Sequence, residues 1–155
     1  MMSQTLLSTL NGSMLDQVLV GGGASLINLF IHAVLVGVIV ATVHQLADTD
    51  ASFPGFVRYT LLIVATGTLL VFGHFAEVFV WAYTYFLVDA TPPNTDLIYF
   101  AFGNYTTLGY GDVVPKPRWH LLGPMTALNG VMLIGWSTAL IYEILRRSVK
   151  TLPQT

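Results

Sequence analysis

The sequence predicts an all-α membrane protein: three transmembrane helices with a short re-entrant helix and a non-helical loop between the second and the third. Three observations predict it. The chain is 54% hydrophobic and only 9% charged, with a mean hydropathy of +0.69, whereas a soluble domain carries about a quarter of charged residues. Three long runs are almost free of Asp, Glu, Lys and Arg, and about 20 such residues cross a hydrocarbon core of roughly 30 Å. Between the second and third runs lies TTLGYGDVVP, residues 106–115, a polar stretch broken by glycines.

Residues 1–24 carry Asp16 as their only charged side chain and lack both a basic start and a small-residue cleavage site, so no cleaved signal peptide is expected. Leu6, Leu7, Leu10, Met14, Leu15 and Val18 recur at helical spacing. They predict a short amphipathic arm on the membrane surface that ends at Gly21-Gly22-Gly23. The first span covers residues 25–46, and the polar loop ADTDASFPG follows it. The second apolar run, an outer helix over residues 56–90, would measure roughly 50 Å at 1.5 Å per residue, so it must tilt, kink or protrude. Trp81, Tyr83 and Tyr85 near its end read as an interfacial aromatic belt, and Pro92-Pro93 stops the helix.

The next segment, residues 94–105, is too short to span but long enough for about three helical turns, with Asn94 or Thr95 as N-cap and Asp96 in its first turn. The loop over residues 106–112 comes next, and a third span over residues 119–147 starts or kinks at Gly123-Pro124. Residues 148–155 form a short tail. Arg58, Arg146, Arg147 and Lys150 fall on one side and only Lys116 and Arg118 on the other, so the positive-inside bias places the C-terminus in the cytoplasm and the N-terminus outside. Lipid is the expected environment. With no Cys there is no thiol nucleophile and no disulfide, and with a net charge of −2 and no basic run, nucleic acid is not an expected partner.

Non-helical backbone at membrane depth cannot face lipid, because each unpaired N–H or C=O costs several kcal/mol; it must be buried in protein or line a wet cavity. The loop is therefore expected to line a pore. Backbone of alternating hand turns successive carbonyls to the same side, and Gly109 and Gly111, in alternate positions, reach positive φ without a Cβ clash. Thr107 adds a hydroxyl oxygen, and the preceding half-helix aims its negative C-terminal end toward the pore, which favours a cation.

Thr106-Thr107-Leu108-Gly109-Tyr110-Gly111-Asp112 resembles the selectivity signature TTVGYGD of potassium channels, and roughly residues 56–147 resemble the pore modules of prokaryotic two-transmembrane and tandem-pore channels. The resemblance implies a selectivity filter at residues 106–112. There the carbonyls of Thr107, Leu108, Gly109 and Tyr110, with the Thr107 hydroxyl, hold the ion, Gly111 permits the outer turn, and Thr106 and Asp112 support the filter. It also implies a homotetramer, K⁺ as permeant ion, no other metal, no organic cofactor and no enzymatic activity. Leu108 stands for the usual Val. Phe100 and Gly103 stand where many relatives have an aromatic donor or an acid paired with the Asp, so neither buttress is expected there; Asn104 and Tyr105 are further departures. Gly130 and Gly135 are hinge candidates or close-packing sites of the inner helix, and Asn129 is a candidate cavity-facing group.

His32, His44, His74 and Glu77 lie in apolar spans, where ionisable side chains are functional candidates. His74 and Glu77 share a helix face as candidates for proton or metal sensing, although two ligands from one helix do not make a metal site. His120 is placed at the outer interface. No span carries arginines at every third position, so no voltage sensor is expected. The competing readings are a weakly selective monovalent cation channel, a membrane subunit whose histidines bind a metal or haem, and a non-conducting structural subunit.

Overall fold

A computed structural model describes residues 2–48 and 55–150. Helix α1 runs Met2–Asp48, α2 Gly55–Leu87, α3 Leu97–Tyr105 and α4 Leu122–Lys150, the last preceded by a 3-10 turn at Pro117–Trp119. Three helices are long and apolar enough to cross a membrane, with candidate spans at Met14–Val43, Tyr59–Leu87 and Pro117–Arg146. The predicted all-α membrane fold is the fold observed. Met1, residues 49–54 and the last five residues lie outside the described part.

The largest difference from expectation is at the start. Gly21-Gly22-Gly23 do not end a surface helix; α1 passes through them unbroken, and the apolar stretch among its described residues includes positions before residue 25. The physical reason is twofold. In a low-dielectric environment the helix is the one local way to satisfy each backbone group, and small residues let helices approach closely. A Cβ at Gly21 would lie 2.6 Å from Met125 Sδ and 3.1 Å from Leu122 Cδ2, so this glycine is where α1 meets α4.

Helices α1 and α4 run in the same direction and α2 runs against them. At one end Ala24, Val78, Trp81, Tyr85, Phe100, Tyr105 and Leu122 form a single buried cluster; at the other Ile39, Leu70 and Ile144 form a second. Helix α3 packs only at the first end. Trp81 and Tyr85 are therefore core residues with no exposed surface, while Tyr83 is 61% exposed, so the expected aromatic belt is corrected. The i, i+4 spacing puts Trp81 and Tyr85 on the inner face with Glu77 and Val78.

Helix boundaries are also corrected. Helix α2 ends at Leu87, where Ala90 N–H caps the Tyr85 carbonyl at 3.0 Å. The N-cap of α3 is Asp96, not Asn94 or Thr95: Asp96 Oδ1 accepts from Ile98 N–H and Tyr99 N–H, both at 3.1 Å. Thr95 instead bonds back to the Pro92 carbonyl at 2.8 Å, and Asn94 takes φ 62° in the turn. Asp96→Ala is expected to lower stability by about 1 kcal/mol per chain, seen as a fall in the thermal midpoint; Asp96→Asn, which keeps the acceptor, should restore it. Gly123 and Pro124 lie in the first turn of α4 and start it.

Candidate functional site: the glycine loop and its support

The loop leaves α3 through the cap at Thr106, whose N–H and hydroxyl both bond the Phe102 carbonyl, at 3.0 and 2.8 Å. Thr107 N–H bonds the Asn104 carbonyl at 2.9 Å, and Gly109 N–H bonds the Gly103 carbonyl at 3.1 Å. The chain thus folds back along its own helix. Positive φ recurs at Thr107 (60°), Gly109 (45°) and Gly111 (77°), the alternate-residue pattern expected for carbonyls turned to one side. A left-handed threonine is costly by roughly 1–2 kcal/mol, and such strain persists where the surroundings over-determine it. Thr106 through Asp112 are all exposed in the single chain, with Leu108 56% and Tyr110 69% accessible.

Behind the loop, three polar networks stand in the places where the sequence offered no obvious partner. In the first, Asn104 Nδ2 donates to the Tyr85 hydroxyl at 3.2 Å, which lies 2.6 Å from Thr126 Oγ1, itself bonded to the Leu122 carbonyl at 2.8 Å. This ties α3 to α2 and α4. Phe100 packs its ring 4.9 Å from the ring of Tyr85. In the second, the Tyr105 hydroxyl donates to Glu77 Oε2. His74 Nδ1 lies 2.8 Å from the same oxygen and 2.9 Å from the Tyr105 hydroxyl, and its Nε2 lies 3.0 Å from Ser137 Oγ. His32 Nδ1, from α1, lies 2.8 Å from Glu77 Oε1. In the third, Asn28 Nδ2 donates to Asn129 Oδ1 at 2.9 Å and to the Glu77 carbonyl at 3.1 Å, and Trp81 Nε1 donates to Asn129 Oδ1 at 2.9 Å. Asn129 is thus turned toward α1 and α2, which corrects its placement in a cavity.

Gly103 faces a small pocket that it lines with Tyr99, Asn104, Gly109 and Asp112. One residue before Phe100, Tyr99 lines the same pocket as Asp112. Gly130 sits against the pore-helix end, since a Cβ there would fall 2.0 Å from the Tyr105 carbonyl oxygen, while Gly135 has open space around it. Close packing, one of the two expected roles, is what Gly130 does within the chain.

The outer rim is pinned by charge. Lys116 Nζ meets Asp89 at 2.5 Å and Arg118 meets Asp16 of α1 at 3.0 Å; Gln17 Oε1 accepts from Leu121 N–H at 2.7 Å. His120 is exposed at this rim. The side chain of His44 lies outside the described residues. Sequence reasoning missed the bonds of Tyr85 to Asn104 and Thr126, the role of Asn28 and the pairing of His32 with Glu77. The available signal was helical phase, since His74, Glu77, Trp81 and Tyr85 share one face of α2.

Residues 73–147, from the middle of α2 to the end of α4, match the family model described as an ion channel. No curated protein and no solved structure matches the chain. The matched segment contains the half-helix, the loop of alternating hand and the close contact at Gly130. The match at residues 73–147 supports an ion-channel pore module in this part of the chain, and with it ion conduction across a membrane.

Proposed function

We propose that the protein is a potassium-selective channel whose conducting unit is a ring of four copies, with the filter at residues 106–112. The observation that carries this reading is the left-handed backbone at Thr107, Gly109 and Gly111 within TTLGYGD. A filter needs carbonyls from several chains around one axis, because each ion exchanges its water shell for a ring of oxygens. One chain supplies one exposed loop, and four supply the ring. K⁺ is the permeant ion in this reading; Thr107, Leu108, Gly109 and Tyr110 hold it through their carbonyls, Thr107 also through its hydroxyl, and Gly111 makes the outer turn.

Supports for ion selectivity are the ties that limit widening of the loop: Gly109 to Gly103, Asn104 to Tyr85 and Tyr105 to Glu77. Helix α3 ends at the loop and directs its negative end there, favouring a cation on the axis. The exposed apolar residues Leu128, Val131, Met132 and Trp136 of α4 face neighbouring copies, the conduction path or lipid. The filter side, with the N-terminus, is extracellular and the C-terminus cytoplasmic, following the basic residues.

Reversal potentials of purified protein in planar bilayers test the reading. With potassium on one side and an equal concentration of sodium on the other, a large potential, negative on the potassium side, is expected. A value near zero would instead identify a weakly selective cation channel.

A further inference from the structure

We propose that His32, His74 and Glu77 form a Zn²⁺-binding site that joins the first span to the pore module behind the filter. Two ligands on one helix turn are not a metal site, but α1 brings a third to them. One nitrogen from each histidine and one carboxylate oxygen all lie within 4.8 Å of one another. Two imidazoles and a carboxylate are a ligand set suited to Zn²⁺, which takes three protein ligands and leaves a fourth position for another oxygen. The Tyr105 hydroxyl, on Glu77 Oε2 and 2.9 Å from His74 Nδ1, stands beside that position.

The arrangement is close to what a metal needs. Both histidines direct Nδ1 at the same carboxylate, each at 2.8 Å. Ligands bound tetrahedrally at 2.0–2.1 Å lie about 3.3 Å apart, so each imidazole–carboxylate pair would open by about 0.5 Å and the ligand atoms of the group, now within 4.8 Å of one another, would draw together toward that distance. Ser137 Oγ, 3.0 Å from His74 Nε2, supplies the outer hydrogen bond that commonly orients a ligating imidazole. His32 is wholly buried, and its Nδ1 is the ring nitrogen turned to the cluster. Glu77 is also wholly buried, and no Lys or Arg lies among the partners of its side chain. A carboxylate at membrane depth calls for a compensating positive charge, and a divalent ion supplies one. The His74 side chain retains 21% exposure, which leaves an approach to the cluster.

The test uses full-length protein purified in detergent, equilibrated with Zn²⁺ and freed of excess before elemental analysis. Wild type is expected to hold one Zn²⁺ per chain. His32→Gln and His74→Gln, whose amides can still donate to Glu77 but present no imidazole, are expected to bind at least tenfold more weakly. His120→Gln, at the exposed rim, should bind as wild type does. Zn²⁺ should also raise the thermal midpoint of wild type and not that of His32→Gln. Cobalt(II) offers a measurement that needs no variant: bound to wild type, it should give the intense visible bands of four-coordinate nitrogen and oxygen ligation, abolished by Zn²⁺. Wild type free of Zn²⁺, cobalt spectra of the hydrated ion, or unchanged binding in both cluster variants would each overturn the site. None of these readouts depends on potassium selectivity.

Discussion

Gly130→Ala is expected to reduce ion flux by at least tenfold and to lower the thermal midpoint, whereas Gly135→Ala, five residues along the same helix, should leave both near wild type. A Cβ at Gly130 would fall 2.0 Å from the Tyr105 carbonyl oxygen, 2.9 Å from its carbon and 3.0 Å from Tyr105 Cγ. Carbon–oxygen contacts rest near 3.3–3.6 Å, so α4 and the end of α3 must separate by about an ångström. The atoms in the way are backbone and cannot rotate aside. Overpacking of this kind costs about 1–3 kcal/mol, and in the proposed ring of four it would recur in each chain. The displaced residue directly precedes Thr106 and Thr107, so the shift reaches the proposed filter. At Gly135 a Cβ meets no heavy atom of the chain within 4 Å, and alanine gains up to about 1 kcal/mol in helix propensity. Flux assays on liposomes and thermal melts of both variants check the pair. Wild-type behaviour from Gly130→Ala would remove the packing role, and equal losses in both variants would point to a hinge.

How much of this was legible beforehand depends on the range of the interaction. The apolar runs, the half-helix and the alternate glycines are local features, and local backbone physics places them: Gly109 and Gly111 do take positive φ. Helix ends were legible to within a few residues, because Asn94, Thr95 and Asp96 are all competent caps and only the turn geometry selects Asp96. The run of three glycines misled for a different reason. Its breaking power is a property of helices in water, and Gly21 instead serves contact with α4.

The support behind the glycine loop was not legible, because it is built from partners far apart in sequence. Asn28 to Asn129 spans 101 residues and His32 to Glu77 spans 45. A single sequence shows Gly103 lacking an acid; it does not show Asn104 reaching Tyr85 or Tyr105 reaching Glu77. These bonds draw the first span, itself outside the matched residues 73–147, into the support of the pore helix. His32 and Asn28 give that span a structural task beyond anchoring.

Gly109→Ala is the sharpest test of the filter itself, and it is expected to abolish potassium flux while leaving the protein folded. Gly109 holds φ 45° between Leu108 and Tyr110, with nothing within 4 Å of the position a Cβ would take, so no steric collision inside the chain confounds the result. The penalty is conformational: a left-handed alanine costs roughly 1–2 kcal/mol, hence on the order of 4–8 kcal/mol around the proposed ring of four. Relaxing φ to negative values relieves it, but that rotation turns the adjoining peptide planes and takes carbonyls away from the axis. Gly109 N–H would also leave the Gly103 carbonyl, now 3.1 Å away, which removes the tie between loop and half-helix. The four-helix scaffold buries none of this loop, so elution volume and thermal midpoint should stay close to wild type. Potassium flux equal to wild type in such a folded variant would place the conduction path elsewhere. Loss of flux with the fold intact would leave the backbone of residues 107–111 as the part of the chain that ions traverse.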